Sequence, residues 1–199
     1  MRWIDARLAK SNVTELIDMT YFSKYLPQFG FKIAIDGFHN TPEKVPYVCL
    51  SCLNPPGALH QTPIDPSQVY LNSQLDWESP ITTPHFTEEF FSFYNINARN
   101  NLTLFLEVKT IAFNKKDVPA FKTVGWTVVP IFNPNGYMQS GCYQLPIFKG
   151  VIPKDVLDRI TQNDAWPVLM ELLAMKKSPV QLLEPMSVVV RVVDGQREV

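Results

Sequence analysis

Residues 83 to 93 read TPHFTEEFFSF, with five ring-bearing side chains, His85, Phe86, Phe90, Phe91 and Phe93, around the adjacent Glu88 and Glu89. In an extended strand, successive side chains point to opposite faces. Phe86, Glu88, Phe90 and Ser92 then share one face, and Glu89, Phe91 and Phe93 share the other. Neighbouring carboxylates on such a strand point apart, so Glu88 and Glu89 cannot converge on one proton as an acid–base couple. Aromatic residues on both faces need a second explanation. Either a bulge shifts the register, or the second face is covered as well. Cover by an added helix, from 12 to 25 or from 154 to 176, is the expectation, with a partner protein as the rival occupant.

Strand signals extend in both directions from this stretch. FKIAID (31–36) alternates apolar and polar residues, and PYVCLSCL (46–53) follows it. Residues 54–67 form a loop carrying Pro55, Pro56, Gly57, Pro63 and Pro66. QVYLN (68–72), NLTLFLEVKTIAF (101–113), FKTVGWTVVPIF (121–132) and CYQLPIF (142–148) are further strands. NPNGYMQSG (133–141) supplies hairpin-turn residues between the last two. Strands at this spacing with no helices between them predict an antiparallel sandwich or barrel.

The two ends read differently. Asn12 and Glu15 have capping-box spacing, and Val13, Leu16, Ile17, Thr20 and Tyr21 follow at helical intervals, predicting a helix over about 12–25. Pro153 suits the first turn of a helix running to about Gln162, and Asn163 or Asp164 opens a second with Val168, Leu169, Leu172 and Leu173 on one face. MSVVVRVVDGQREV (186–199) is a strand that completes the sheet or begins another unit. The expected division is a helical extension over 1–28, a β-sandwich over 29–150, and helices with a closing strand over 151–199.

The chain has 199 residues with 46% hydrophobic content, enough to build a core. Its 18 basic and 19 acidic residues nearly cancel, which argues against a nucleic-acid binder. No apolar run is long enough to span a bilayer. The opening residues lack a signal-peptide apolar segment, and three cysteines do not suggest a disulfide framework, so a cytoplasmic, reduced setting is expected.

Four segments, taken in order, resemble a C2 domain, the eight-stranded antiparallel sandwich named for calcium-dependent lipid binding. FKIAIDGFHNTP resembles its first strand and trailing turn, and VPYVCLSC resembles the Asp-Pro-Tyr-Val strand that follows. TPHFTEEFFSF resembles the Asn-Pro-x-Trp-Asn-Glu-x-Phe stretch, with Pro84, Glu88 and Phe90 matching and Phe86 in place of Trp. LTLFLEVKTIAF and VGWTVVPI resemble the late paired strands, with Gly125 at the family's glycine. The resemblance spans about 29–148 and implies an all-β, antiparallel eight-stranded C2-like sandwich with helical additions at both ends. It also implies a structural role for Glu88.

The family's calcium chemistry is not expected here. A calcium ion needs six to eight oxygen ligands. Val45 stands where the family has the first-loop Asp, Lys109-Thr110-Ile111 follows LFLEV where the family has Asp-x-Asp, and Asp117 alone does not restore a cage. Cys49 and Cys52 would face opposite sides of a strand, so neither a metal clasp nor a redox pair is expected, and Cys142 is expected to be packed. His39, His60 and His85 fall in or beside loops with no catalytic motif around them. No catalytic residue, cofactor or metal is expected, and Trp126 is read as core, with an anchor for a protein partner as the alternative.

The resulting expectation is a calcium-independent, C2-like scaffolding module that binds other proteins, with Phe91, Phe93, Lys115, Lys116 and Lys122 as candidate surface residues. VGWTVVPIF…GCYQLPIF further resembles C2-type domains of cilium- and flagellum-associated coiled-coil proteins. That resemblance implies an axonemal or basal-body setting, with tubulin or neighbouring structural proteins as partners. The alternative is a peripheral domain that binds anionic lipid through Lys115, Lys116 and Lys122 without calcium.

Overall fold

The computed structural model describes residues 21–42, 47–53, 69–96, 98, 102–113 and 118–196. Among them are nine strands and two helices: β1 (Tyr21–Ser23), β2 (Phe31–His39), β3 (Tyr47–Leu53), β4 (Val69–Asn72), β5 (Phe91–Phe93), β6 (Thr103–Phe113), β7 (Pro119–Pro130), β8 (Met138–Lys149), α1 (Lys154–Gln162), α2 (Ala165–Ala174) and β9 (Leu182–Asp194). All strand pairings are antiparallel, in the order β4-β3-β6-β7-β8-β9-β2-β5, with β1 added to β8. The all-β expectation holds at this level, with nine strands where eight were expected.

The helix predicted over 12–25 is not formed in its described part, where Tyr21–Ser23 is a strand. Tyr21–Ser23 pairs with Met138–Ser140 of β8, and residues 12–20 lie outside the described region. Helical spacing over a few residues loses here to hydrogen-bond partners supplied by a neighbouring strand. The two later helices form where they were predicted. The closing strand completes the sheet as β9, seated between β8 and β2.

The sheet is barrel-like because its two ends curl together. Tyr70 of β4 sets its ring 4.5 Å from Phe91 and 5.0 Å from Phe93 of β5. Just beyond, Leu75 bridges Phe86, and the Thr87 amide donates to the Gln74 carbonyl at 2.9 Å. The Glu88 carboxylate accepts from the Ser73 amide and, at 2.6 Å, from the Gln74 amide. The opening stretch is therefore the seam that closes the sheet, and Glu88 is its clasp. Glu89 is exposed.

The register also resolves the puzzle of two aromatic faces. Only Phe91–Phe93 is strand, and Thr87–Phe90, after the bridges at His85 and Phe86, is irregular chain outside any strand. That break lets Phe86, Phe91 and Phe93 all turn to the same core, with Phe31 stacked on Phe93 at 5.1 Å and Phe38 edge-on to Phe86 at 5.4 Å. The expected helical cover of Phe91 and Phe93 is replaced by the core itself and Tyr70. Where the crossing segment passes β2, Gly37 has φ +153, and a Cβ there would sit 2.3 Å from the Pro84 carbonyl oxygen, so any side chain would collide with backbone.

Helices do cover a sheet face, but it is the outer face of β3, β6, β7 and β8. Val156, Leu157 and Ile160 of α1 and Val168, Leu169 and Leu172 of α2 pack on Cys52, Phe105, Trp126, Val128 and Phe148. Cys49 lies in the inner core and Cys52 under the helices, on opposite faces as the strand spacing requires. Cys142 is exposed, contrary to expectation, because it lies on the solvent face of β8 opposite Arg191.

Candidate functional site

β6 and β7 stay paired out to Phe113 and Pro119. Among the described residues, β3 follows β6 only as far as Thr110, and β8 follows β7 only at Gly125 and Trp126. Residues 111–113 and 119–123 thus form a two-stranded ribbon that projects past the sheet. Directly opposed residues of an antiparallel pair share a face. One row on the outer face runs Phe105/Val128, Glu107/Trp126, Lys109/Thr123, Ile111/Phe121 and Phe113/Pro119.

This row changes character along its length. Its base, Phe105, Val128 and Trp126, is buried under the helices. In the middle, the Lys109 ammonium pairs with Glu107 at 3.1 Å and donates to the Thr123 hydroxyl at 3.0 Å, and Thr123 donates to Glu107 at 2.7 Å. A bulge between Val108 and Lys109, with Val124 as the extra residue, puts Thr123 on the same face as Trp126. Past this polar knot the apolar row resumes and opens to solvent: Ile111 (37% exposed), Phe113 (69%) and Phe121 (61%), with Val118 beside them also exposed. Ile111, Phe113 and Phe121 share one face of the ribbon.

A second exposed group lies at the same end. β2 ends at His39, and Thr41 just beyond it donates from its amide to the Thr82 carbonyl at 3.1 Å and from its hydroxyl to the Ile81 carbonyl at 2.8 Å. The Asp76 carboxylate accepts from the Glu78 amide at 2.9 Å, the Ser79 hydroxyl donates to the Asp76 carbonyl at 2.6 Å, and the Asp76 amide donates to the His85 carbonyl at 2.9 Å. This bonded loop presents Trp77 at 92% exposure, with Ile81 also exposed. The His39 and His85 rings stand 6.5 Å apart, and burial and the neighbouring His85 hold His39 below the usual histidine range.

Of the residues singled out from sequence, Lys122 is exposed on the ribbon, and Lys115 and Lys116 lie outside the described residues. Phe91 and Phe93 belong to the seam, away from Lys122: Phe93 is buried and Phe91 half-buried. Lys109 is bound to Glu107 and Thr123. Among the described residues, no three His, Cys, Asp or Glu side chains gather where they could hold a metal ion, and no helix is long and apolar enough to cross a membrane. Ile111, Phe113, Phe121 and Trp77 were not singled out from sequence. The available signal was the charged pair Glu107 and Lys109 in mid-strand, which marks where the covered face ends.

No protein-family model matches the chain, and no curated protein sequence matches it significantly.

Proposed function

We propose that this chain is a calcium-independent, C2-like interaction module and that it binds a partner protein through the β6–β7 ribbon. The observation that carries this reading is the outer-face row that leaves the helices, crosses a satisfied polar knot and ends in the exposed side chains of Phe113 and Phe121, with Ile111 partly exposed beside them. Aromatic side chains on a protruding, backbone-bonded ribbon are the kind of anchors that dominate interface energies. Several features support the sandwich form of the fold. The hydrogen-bonded path is narrowest at β7–β8, where Gly125 meets Lys149 and Trp126 meets Phe148. A Cβ on Gly125 would lie 2.4 Å from the Phe148 carbonyl oxygen, so this glycine admits the close approach of the two strands. The joint divides the main path of the sheet into β4-β3-β6-β7 and β8-β9-β2-β5, two groups of four as a C2 sandwich has, with β1 added to the second. The resemblance of residues 124–148 to C2-type domains of ciliary coiled-coil proteins makes an axonemal or basal-body assembly the place to look for the partner, with tubulin among the candidates.

The test compares wild type with Phe113→Ser/Phe121→Ser by affinity purification from cells under matched expression. Partners retained by the wild type and lost by the variant, at equal thermal stability, support the reading. An unchanged partner set overturns it.

A second reading, docking on anionic lipid without calcium, draws support from Trp77 and Ile81 at the same end as Lys122, since aromatics and lysines together suit a membrane surface. Sedimentation with phosphatidylserine vesicles, with and without chelator, tests it. Pelleting that survives chelator and weakens with salt favours lipid.

A further inference from the structure

β7 has β6 along one side over its whole length, but on its other side β8 accompanies it only at Gly125 and Trp126. After the Gly150 amide donates to the Val124 carbonyl at 2.9 Å, no described strand follows the edge from Ala120 to Thr123. Such an edge offers a row of backbone donors and acceptors to an added strand.

The surroundings of this edge define what would fit. Phe121 and its cross-strand neighbour Ile111 give apolar contact on one face, and Lys122 lies exposed on the other, opposite Thr110. Lys149, exposed, pairs with Gly125 at the foot of the edge, and its amide donates to the Gln181 carbonyl at 2.7 Å. The segment leading to Gln181 carries Lys176 and Lys177, both exposed. The edge thus combines open backbone, exposed apolar side chains and positive charge. A second copy docked edge to edge would bring these lysines toward their own counterparts, which opposes self-association.

We propose that the β7 edge from Ala120 to Thr123 takes up an extended acidic and apolar segment of a partner protein as an added strand. This deepens the protein-interaction reading above and rests on it. Main-chain hydrogen bonds would supply the docking, glutamate or aspartate side chains would meet Lys122 and Lys149, and apolar side chains would lie against Phe121.

Fluorescence anisotropy of the full chain with a labelled peptide of alternating glutamate and valine tests this. The comparison probes are the same peptide with lysine for glutamate, and two forms N-methylated at alternate residues in opposite registers. The expected result is binding of the glutamate peptide that weakens with salt, no binding of the lysine peptide, and loss of binding in one of the two methylated forms. Lys122→Glu/Lys149→Glu is expected to weaken the glutamate peptide by about tenfold or more. Equal binding of both methylated forms overturns strand addition, and so does pelleting with phosphatidylserine vesicles by a chain that ignores every peptide. If no peptide binds while Phe113→Ser/Phe121→Ser still loses its cellular partners, strand addition is overturned and the interaction reading stands.

Discussion

The ring of Tyr70 lies 4.5 Å from that of Phe91, and this pair joins the two ends of the sheet through side chains where no strand pairs them. Phe93, buried against Tyr70 and Phe31, carries the larger share of the seam's apolar burial. Phe93→Ala is expected to cost about 3–4 kcal/mol. Tyr70→Phe should cost under about 0.5 kcal/mol, since the hydroxyl reaches the Ser92 carbonyl only at 3.5 Å. Urea denaturation reads both as shifts in midpoint at constant slope.

The adjacent glutamates should separate cleanly. Glu88→Ala leaves the Ser73 and Gln74 amides without their acceptor and is expected to cost about 1 kcal/mol, solvent replacing part of the loss. Glu89→Ala, at an exposed position, should stay within about 0.5 kcal/mol of wild type. Equal effects of the two substitutions would refute the clasp.

Burial pushes the Cys49 thiol up to about 12 from an ordinary 9.0. An unfolded chain therefore releases this proton at lower pH than the folded one. The associated stability is complete below pH 9 and declines as pH rises toward the folded value, by about 1.4 kcal/mol per unit. Cys49→Ala should lower stability at neutral pH but flatten the alkaline slope of the stability curve. A thiol reagent should label the exposed Cys142 first in the native protein, and faster at alkaline pH, because partial desolvation and then Asp36 raise that thiol too.

The Glu107–Lys109 pair gives a test by double substitution. Its side chains are 7% and 17% exposed, so removing either partner leaves a charge with little water. Glu107→Met or Lys109→Met alone is expected to cost about 3 kcal/mol, and the two together much less than their sum.

Phe113→Ser/Phe121→Ser should leave the unfolding free energy from urea denaturation within about 0.5 kcal/mol of wild type, because neither side chain contributes to a core. A large loss of stability would show that the ribbon is packed.

Much of the architecture was legible in the alternation of FKIAID and the strands after it, and in the apolar faces of the two late helices. The seam was not. Its strand covers only Phe91–Phe93, and the register slips across Thr87–Phe90, where period-two counting has nothing to report. Tyr21–Ser23 misled for the related reason that a short helical periodicity cannot register a neighbour such as β8. At the candidate site, Lys122 was visible as a charge. Phe113 and Phe121 sit inside apolar strand runs, and only the topology shows β3 and β8 ending short of them.

The placement of β9 bears on biosynthesis. Arg191 on β9 grips Asp36 on β2 across 155 positions of sequence, and β9 is the strand that joins β2 to β8. At usual translation speeds the ribosome needs on the order of ten seconds to cover that interval. For that time the nascent β2 exposes an open backbone edge where β9 will lie, and β8 does the same over the last part of the interval. Holdase chaperones acting during this interval, or slower synthesis at low temperature, should raise the yield of native chain more than changes to the finished surface do.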